Sequence, residues 1–174
     1  MAENNQSRQG GGQGGRGGRG GGRGGRPERP KSEFDQSIVN IRRVTRVVRG
    51  GRRFSFSLLL AAGNRKGKIG LGLGKSGDIT SAIEKAFHQA KKEMLTLNLT
   101  KNSSIPHEVL VKYNSSRLLM KPARGRGLVA GSAARVILNL AGVKDVSAKV
   151  LSKSKNKLNN ARATMKALQT FAQK

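Results

Sequence analysis

The sequence predicts an α+β protein made of two small units, residues 33–100 and 101–174, behind a Gly/Arg-rich leader, residues 1–32. Between Ile38 and Lys75, apolar residues recur at every second position and are interrupted by two glycine turns, the mark of antiparallel strands. From Ile79 the apolar spacing changes to three and four, that of a helix laid on a sheet. The same succession, strands and then helical spacing, begins again at Val109.

The leader repeats Arg-Gly-Gly around Arg16, Arg19, Arg23 and Arg26 and closes on Pro27 and Pro30. With almost no apolar content it cannot offset its ordering entropy, so disorder is expected there. In the first unit, Val39 and Ile41 alternate with Ile38, Asn40 and Arg42, and Val44, Val47 and Val48 carry the β-prone run onward. Arg49-Gly50-Gly51-Arg52 then reads as a tight hairpin turn, with Gly50-Gly51 supplying a positive-φ pair. Beyond it Phe54, Phe56, Leu58 and Leu60 share one face, and Arg53, Ser55 and Ser57 the other.

A second turn, Gly63 to Gly67, leads into a third strand, Lys68 to Lys75. There Ile69, Leu71 and Leu73 point one way and Gly70, Gly72 and Gly74 the other; a bare glycine face implies that a backbone or helix packs close. Asp78 is placed to cap a helix whose stripe is Ile79, Ala82, Ile83, Ala86, Phe87, Ala90 and Met94, with Lys85, Lys91 and Lys92 on its wet side. In the second unit, Val109 to Lys112 and Arg117 to Lys121 read as strands and Pro122 to Gly127 as a loop. A helix is expected from Ala130 to Leu140, ending at Gly142. A strand from Val146 to Leu151, a polar basic loop from Ser152 to Lys157, and a last helix buried through Ala161, Thr164, Ala167, Leu168 and Phe171 complete the chain. Units this small sit near the lower limit for a self-sufficient core.

Charge narrows the function. The chain of 174 residues carries a formal +26, and +21 of that lies outside the leader. Beyond Glu108 the one acid is Asp145, against 14 Lys and Arg. Six arginines (Arg42, Arg43, Arg46, Arg49, Arg52, Arg53) crowd a single hairpin, and they repel one another unless a polyanion lies against them. A merely solvated basic surface usually intersperses acids. An anionic membrane would call for a basic amphipathic helix with aromatic anchors, yet aromatics are 3%. No apolar run reaches the length of a membrane span, and the N-terminus lacks the apolar stretch of a secretory signal. Absence of cysteine excludes disulfides and fits a reducing cytoplasm. The leader's Arg-Gly-Gly tract reads either as an RNA binder acting through charge and stacking or as a solubilising segment.

Candidate catalytic patterns fail one by one. Gly72-Leu73-Gly74-Lys75-Ser76-Gly77 has a dinucleotide-binding spacing but no acid at the ribose distance, and close helix packing explains its glycines better. Gly74-Lys75-Ser76 resembles the end of a phosphate loop, but the leading glycine, Gly70, is one residue too near. Gly125-Arg126-Gly127 followed by Gly131-Ser132 is expected to open a helix, leaving backbone N–H groups beside Arg124 and Arg126 for a phosphate. Kinase chemistry there would need carboxylates for magnesium, and Asp145 alone is near in sequence. His88 and His107 lack partners with catalytic spacing and read as structural. No catalytic residue, metal or cofactor is therefore expected.

Asn40 to Phe56, Gly67 to Lys75, Ile105-Pro106-His107-Glu108, Leu138 to Val146, and Arg162-Ala163-Thr164 with Ala167-Leu168 closely resemble, in order, the signature of the bacterial ribosomal protein S-five family. The resemblance spans roughly residues 34–172 and implies a first domain similar to double-stranded-RNA-binding folds. It implies a second domain of β-α-β-α type with a left-handed crossover, where the general rule would give a right-handed one. It further implies a cytoplasmic structural constituent of the small ribosomal subunit that binds small-subunit ribosomal RNA. Ribosomal proteins S-four and S-eight are its implied neighbours, with S-three near the messenger entry, and its implied roles are subunit assembly, decoding accuracy and the messenger entry channel. The family's usual Pro-Gly-Thr-Gly is Arg124-Gly125-Arg126-Gly127 here, and its Ser-Asn-Pro before the last helix is Ser154-Lys155-Asn156-Lys157.

On these grounds the residues expected to contact RNA are Arg42, Arg43, Arg46, Arg49, Gly50, Gly51, Arg52, Arg53, Lys66, Lys68, Lys75, Arg117, Lys121, Arg124 and Arg126, chiefly through phosphates. The rival readings are a free RNA chaperone or double-stranded-RNA binder and, further off, a small-molecule kinase.

Overall fold

The computed structural model describes residues 33–100 and 102–172; the leader, and with it the expected disorder, lies outside them. Strands β1 (Asp35–Val48), β2 (Gly51–Gly63) and β3 (Lys68–Ser76) form an antiparallel sheet, extended by a two-residue β4 (Leu95–Thr96) against the start of β3. Helix α1 (Ile79–Lys92) crosses one face. Its approach is set by the glycines. A β-carbon on Gly70, Gly72 or Gly74 would overlap the backbone carbonyl oxygens of Ala90, Ala86 and Ala82 in turn. Leu58, Leu60 and Ala62 of β2 fill the rest of that interface. Asp78 stands at the N-cap position but its side chain makes no capping bond.

Two details of the first hairpin depart from expectation. Val48 pairs with Gly51, so Arg49 and Gly50 form the corner, and only Gly51 of the glycine pair takes a positive φ, at 129°. A corner whose one positive-φ residue follows it needs a single glycine, where a type I′ turn would need two positive-φ residues. Near the other end, the β1–β2 register slips between Ile38 and Asn40. The extra residue, Val39, is buried in the core shared with the second unit. Ile41, which strict alternation would place beside it, lies opposite Leu58 and stays 45% exposed. A bulge reverses the alternation of everything beyond it.

The second unit is a mixed sheet of β5 (Val109–Tyr113), β6 (Ser116–Pro122), β7 (Leu128–Ala130) and β8 (Val146–Val150), in the order β5-β6-β8-β7. β7 runs parallel to β8 and the other pairs are antiparallel. Helices α2 (Ser132–Ala141) and α3 (Lys157–Gln169) bury their apolar sides with Val111, Leu118, Met120, Val146 and Ala148. β7 corrects the expectation that the Gly125–Gly127 loop opens a helix. Leu128 and Ala130 pair with Val146 and Ala148, an extended Gly131 follows, and α2 starts only at Ser132. Gly142 ends α2 at φ 81°, the left-handed stop the sequence predicted.

The first sheet is covered on both faces. Opposite α1, its Leu59, Ala61, Ile69 and Leu71 share a core with Ile137, Leu138, Leu140, Leu168 and Phe171 of the second unit. Backbone bonds join the units as well. Arg65 N–H donates to Leu140 O at 2.9 Å and Gly67 N–H to Ala141 O at 3.0 Å, so the β2–β3 turn caps the last carbonyls of α2. Asn64 holds that turn, its side-chain oxygen accepting from Lys66 N–H (2.8 Å) and Lys68 N–H (3.0 Å). Gly142 is required twice over: by its φ, and because a β-carbon there would overlap the Arg65 carbonyl.

Candidate nucleic-acid interface

Past the end of β3, β1 and β2 continue as a two-stranded arm, and the register sorts the arginines at its base and along it by face. Arg42 pairs with Ser57, and Ser57 with Lys75; four residues outward, past Val44 and Ser55, Arg46 pairs with Arg53. These residues share the face that farther in carries Leu59 and Ala61, because side chains two apart point the same way. The other face holds Ile41, Arg43, Thr45 and Val47 opposite Leu58, Phe56, Phe54 and Arg52. On it the Arg43 guanidinium lies 3.6 Å from the centre of the Phe54 ring, a cation–π stack that stiffens the side chain while its N–H edge stays available.

Between Asp35 and Asp78 the sequence has no acid, and among the described residues no hairpin arginine meets a carboxylate. Like charges set directly across strands destabilise the pair, and Arg46 opposite Arg53 is such a case. The arm is basic on both faces, one backed by hydroxyls and the other by aromatic rings.

The remaining predicted residues fall into separate groups. Lys66 and Lys68 sit in and after the β2–β3 turn, roughly 40 Å from the hairpin corner at the ordinary rise of a strand. Arg117 pairs with Lys112 on the outer face of the second sheet, opposite α2 and α3. Lys121 is on that face too, in an exposed ion pair with Glu108 at 3.1 Å, an arrangement that contributes little to stability. Arg124 and Arg126 are exposed in the loop before β7. The fifteen residues thus make no single surface. Arg42, Arg46, Arg53 and Lys75 come together, Arg43 and Arg52 back them, Arg49, Gly50 and Gly51 form the tip, and the rest lie elsewhere.

Asp145 explains the Gly125–Gly127 loop without a ligand. Its carboxylate accepts the Gly127 N–H at 3.2 Å, and its backbone oxygen accepts Ala123 N–H (3.1 Å) and the Ser104 hydroxyl (2.7 Å). The Gly127 N–H is thus already bonded, as is the Arg126 N–H to Ala123 O (3.2 Å), and the one acid near the loop in sequence is its anchor. His107 packs edge-on against Phe171, with ring centres 5.1 Å apart, and His88 is exposed on α1.

Sequence reasoning missed one group. Lys153, Lys155 and Lys157 are exposed, while Ser154 and Asn156 between them are partly buried. Asn156 accepts a hydrogen bond from Arg42 Nη2 at 3.2 Å, which brings this loop to the arm. Alternating Lys and small polar residues were the available signal, but a contact 114 residues away along the chain has none.

Comparison with known proteins agrees with this architecture. The family model "Ribosomal protein S5, N-terminal domain" matches residues 34–98, and "Ribosomal protein S5, C-terminal domain" matches residues 111–173. The chain is 51% identical over 137 residues to small ribosomal subunit protein uS5 of Campylobacter jejuni, covering 78% of this chain and 92% of that one. It is 45% identical over 141 residues to the uS5 of Chlamydia trachomatis, covering 80% and 85%. It is 46% identical over 145 residues to uS5c of Rhodomonas salina, covering 81% and 86%. With both of its sheets matched by the two halves of one family, this chain belongs to the ribosomal protein S5 family.

Proposed function

We propose that the protein is a structural constituent of the small ribosomal subunit, works in the cytoplasm, and is held there by its basic arm lying against ribosomal RNA. The observation that carries this is the arm itself: six arginines without an acid, projecting from a sheet packed on both faces. Phosphate contacts supply affinity and the rigid base supplies placement, so RNA shape is read more than sequence. Arg42, Arg43, Arg46, Arg49, Arg52, Arg53 and Lys75 make the main contact, the Gly50-Gly51 tip enters closest, and Lys66, Lys68, Arg117, Lys121, Arg124 and Arg126 meet other RNA segments. The two units, 33–100 and 101–174, are the two domains of the family.

In the assembled particle the protein abuts S-four and S-eight and, with S-three, borders the messenger entry, supporting assembly and decoding accuracy. Its work is placement, and it is not an enzyme. The test is an Arg49→Ala/Arg52→Ala double variant, expected to fold normally and to enter small subunits poorly in gradient sedimentation. Its RNA binding should also depend less steeply on salt, by about one unit of slope for each phosphate that an arginine no longer neutralises. Normal incorporation overturns the assigned surface. Tight binding of the unaltered protein to many unrelated duplexes, with none of it in the particle, favours a free RNA chaperone.

A further inference from the structure

We propose that the loop Ser152–Lys157 and the hydroxyl-backed face of the arm are two walls of one cleft for an RNA backbone, held in register by the Arg42–Asn156 hydrogen bond. The proposal rests on the reading that the arm binds ribosomal RNA, and adds a second, separately testable wall.

The loop is built to present its lysines. Asn156 Oδ1 accepts Leu158 N–H at 3.1 Å, capping α3, and accepts Arg42 Nη2 at 3.2 Å. Ser154 Oγ accepts Asn156 N–H at 3.4 Å, and the Asn160 side chain donates to Ser154 O at 3.4 Å. Every second residue is thereby tied down, and Lys153, Lys155 and Lys157 between them are turned to solvent. No acid follows Asp145 anywhere in the chain, so this wall, like the arm, is uncompensated.

Arg42 marks where the two walls meet. From there Arg46, with Arg53 across from it, lies about 13 Å farther out along the arm at the usual strand rise, and Lys75 shares the Arg42 row. An anion between the walls meets Arg42, Arg46, Arg53 and Lys75 on one side and the loop lysines on the other. Cations on both walls with no acid among them call for a polyanion. A protein partner would call for an apolar or aromatic centre to the surface. Between its charges this face offers Ser55, Ser57 and one half-buried aliphatic side chain, Val44 opposite Ser55, which is too little for such a centre, while the aromatic rings Phe54 and Phe56 are on the opposite face.

The absence of cysteine makes the test direct. Single variants Lys155→Cys, Ser55→Cys and Gly50→Cys of the full chain, each carrying a tethered iron chelate, are assembled into small subunits, and hydroxyl-radical cuts in the ribosomal RNA are mapped. Cuts from positions 155 and 55 are expected in one shared backbone stretch. Cuts from 55 and 50 with none from 155, or with 155 cutting a different segment, overturn the cleft and leave the arm's role standing. An absence of RNA cuts from all three overturns both.

Discussion

The inner and outer halves of the β1–β2 pair are made of the same two antiparallel strands, yet they live in different worlds. From Leu58 to Gly63 every residue of β2 is buried, because α1 covers one face and the second unit the other. From Gly51 to Phe54 every residue is exposed, and of the β1 residues opposite, Thr45, Arg46 and Val47 are exposed and Val48 is half-buried. Alternation makes a strand; what lies on it decides whether it becomes core or probe. On β2 the inner half is under steric control, with every side chain from Leu58 to Ala62 packed. The outer half is under electrostatic control and tolerates much, provided its charge and its corner survive.

Substitutions of glycine separate these regimes most cleanly. Gly72→Val, at the inner sheet, forces a branched side chain into the α1 backbone at Ala86 and should cost about 3 kcal/mol or more, measurable as a large fall in the urea midpoint. Gly142→Ala, where the first unit meets α2, combines a left-handed φ with overlap on the Arg65 carbonyl, and about 2 kcal/mol is expected in the same experiment. At the arm, Gly51→Ala meets open space but a φ of 129°, and about 1 kcal/mol of strain should appear. Gly50→Ala meets open space at an unstrained φ and should stay within about 0.5 kcal/mol of the unaltered protein. A Gly50→Ala cost matching that of Gly72→Val would erase the distinction between the covered sheet and the exposed arm.

Much of this contrast could be read from the chain. The Phe54-to-Leu60 face, the glycine face of β3 and the Gly142 stop follow from periodicity and from the conformations only glycine adopts readily, and all three are present. Three features left no local trace. The bulge at Val39 depends on which neighbour buries the extra residue. β7 is three residues among glycines, and its parallel partner comes only after α2. The join between units runs through the backbone N–H groups of Arg65 and Gly67, donors that any residue except proline would supply there. The candidate site divided the same way. Its charge was legible from composition, whereas its sorting into two faces, and the nearness of Lys153 to Lys157, needed the register and one long-range bond.

The β2–β3 turn that closes α2 gives the molecule a direction in time. A ribosome making this chain releases Asn64 to Gly67 well before Leu140 and Ala141, so the cap is waiting when the helix that needs it emerges. Earlier residues act as the mould and later ones as the cast.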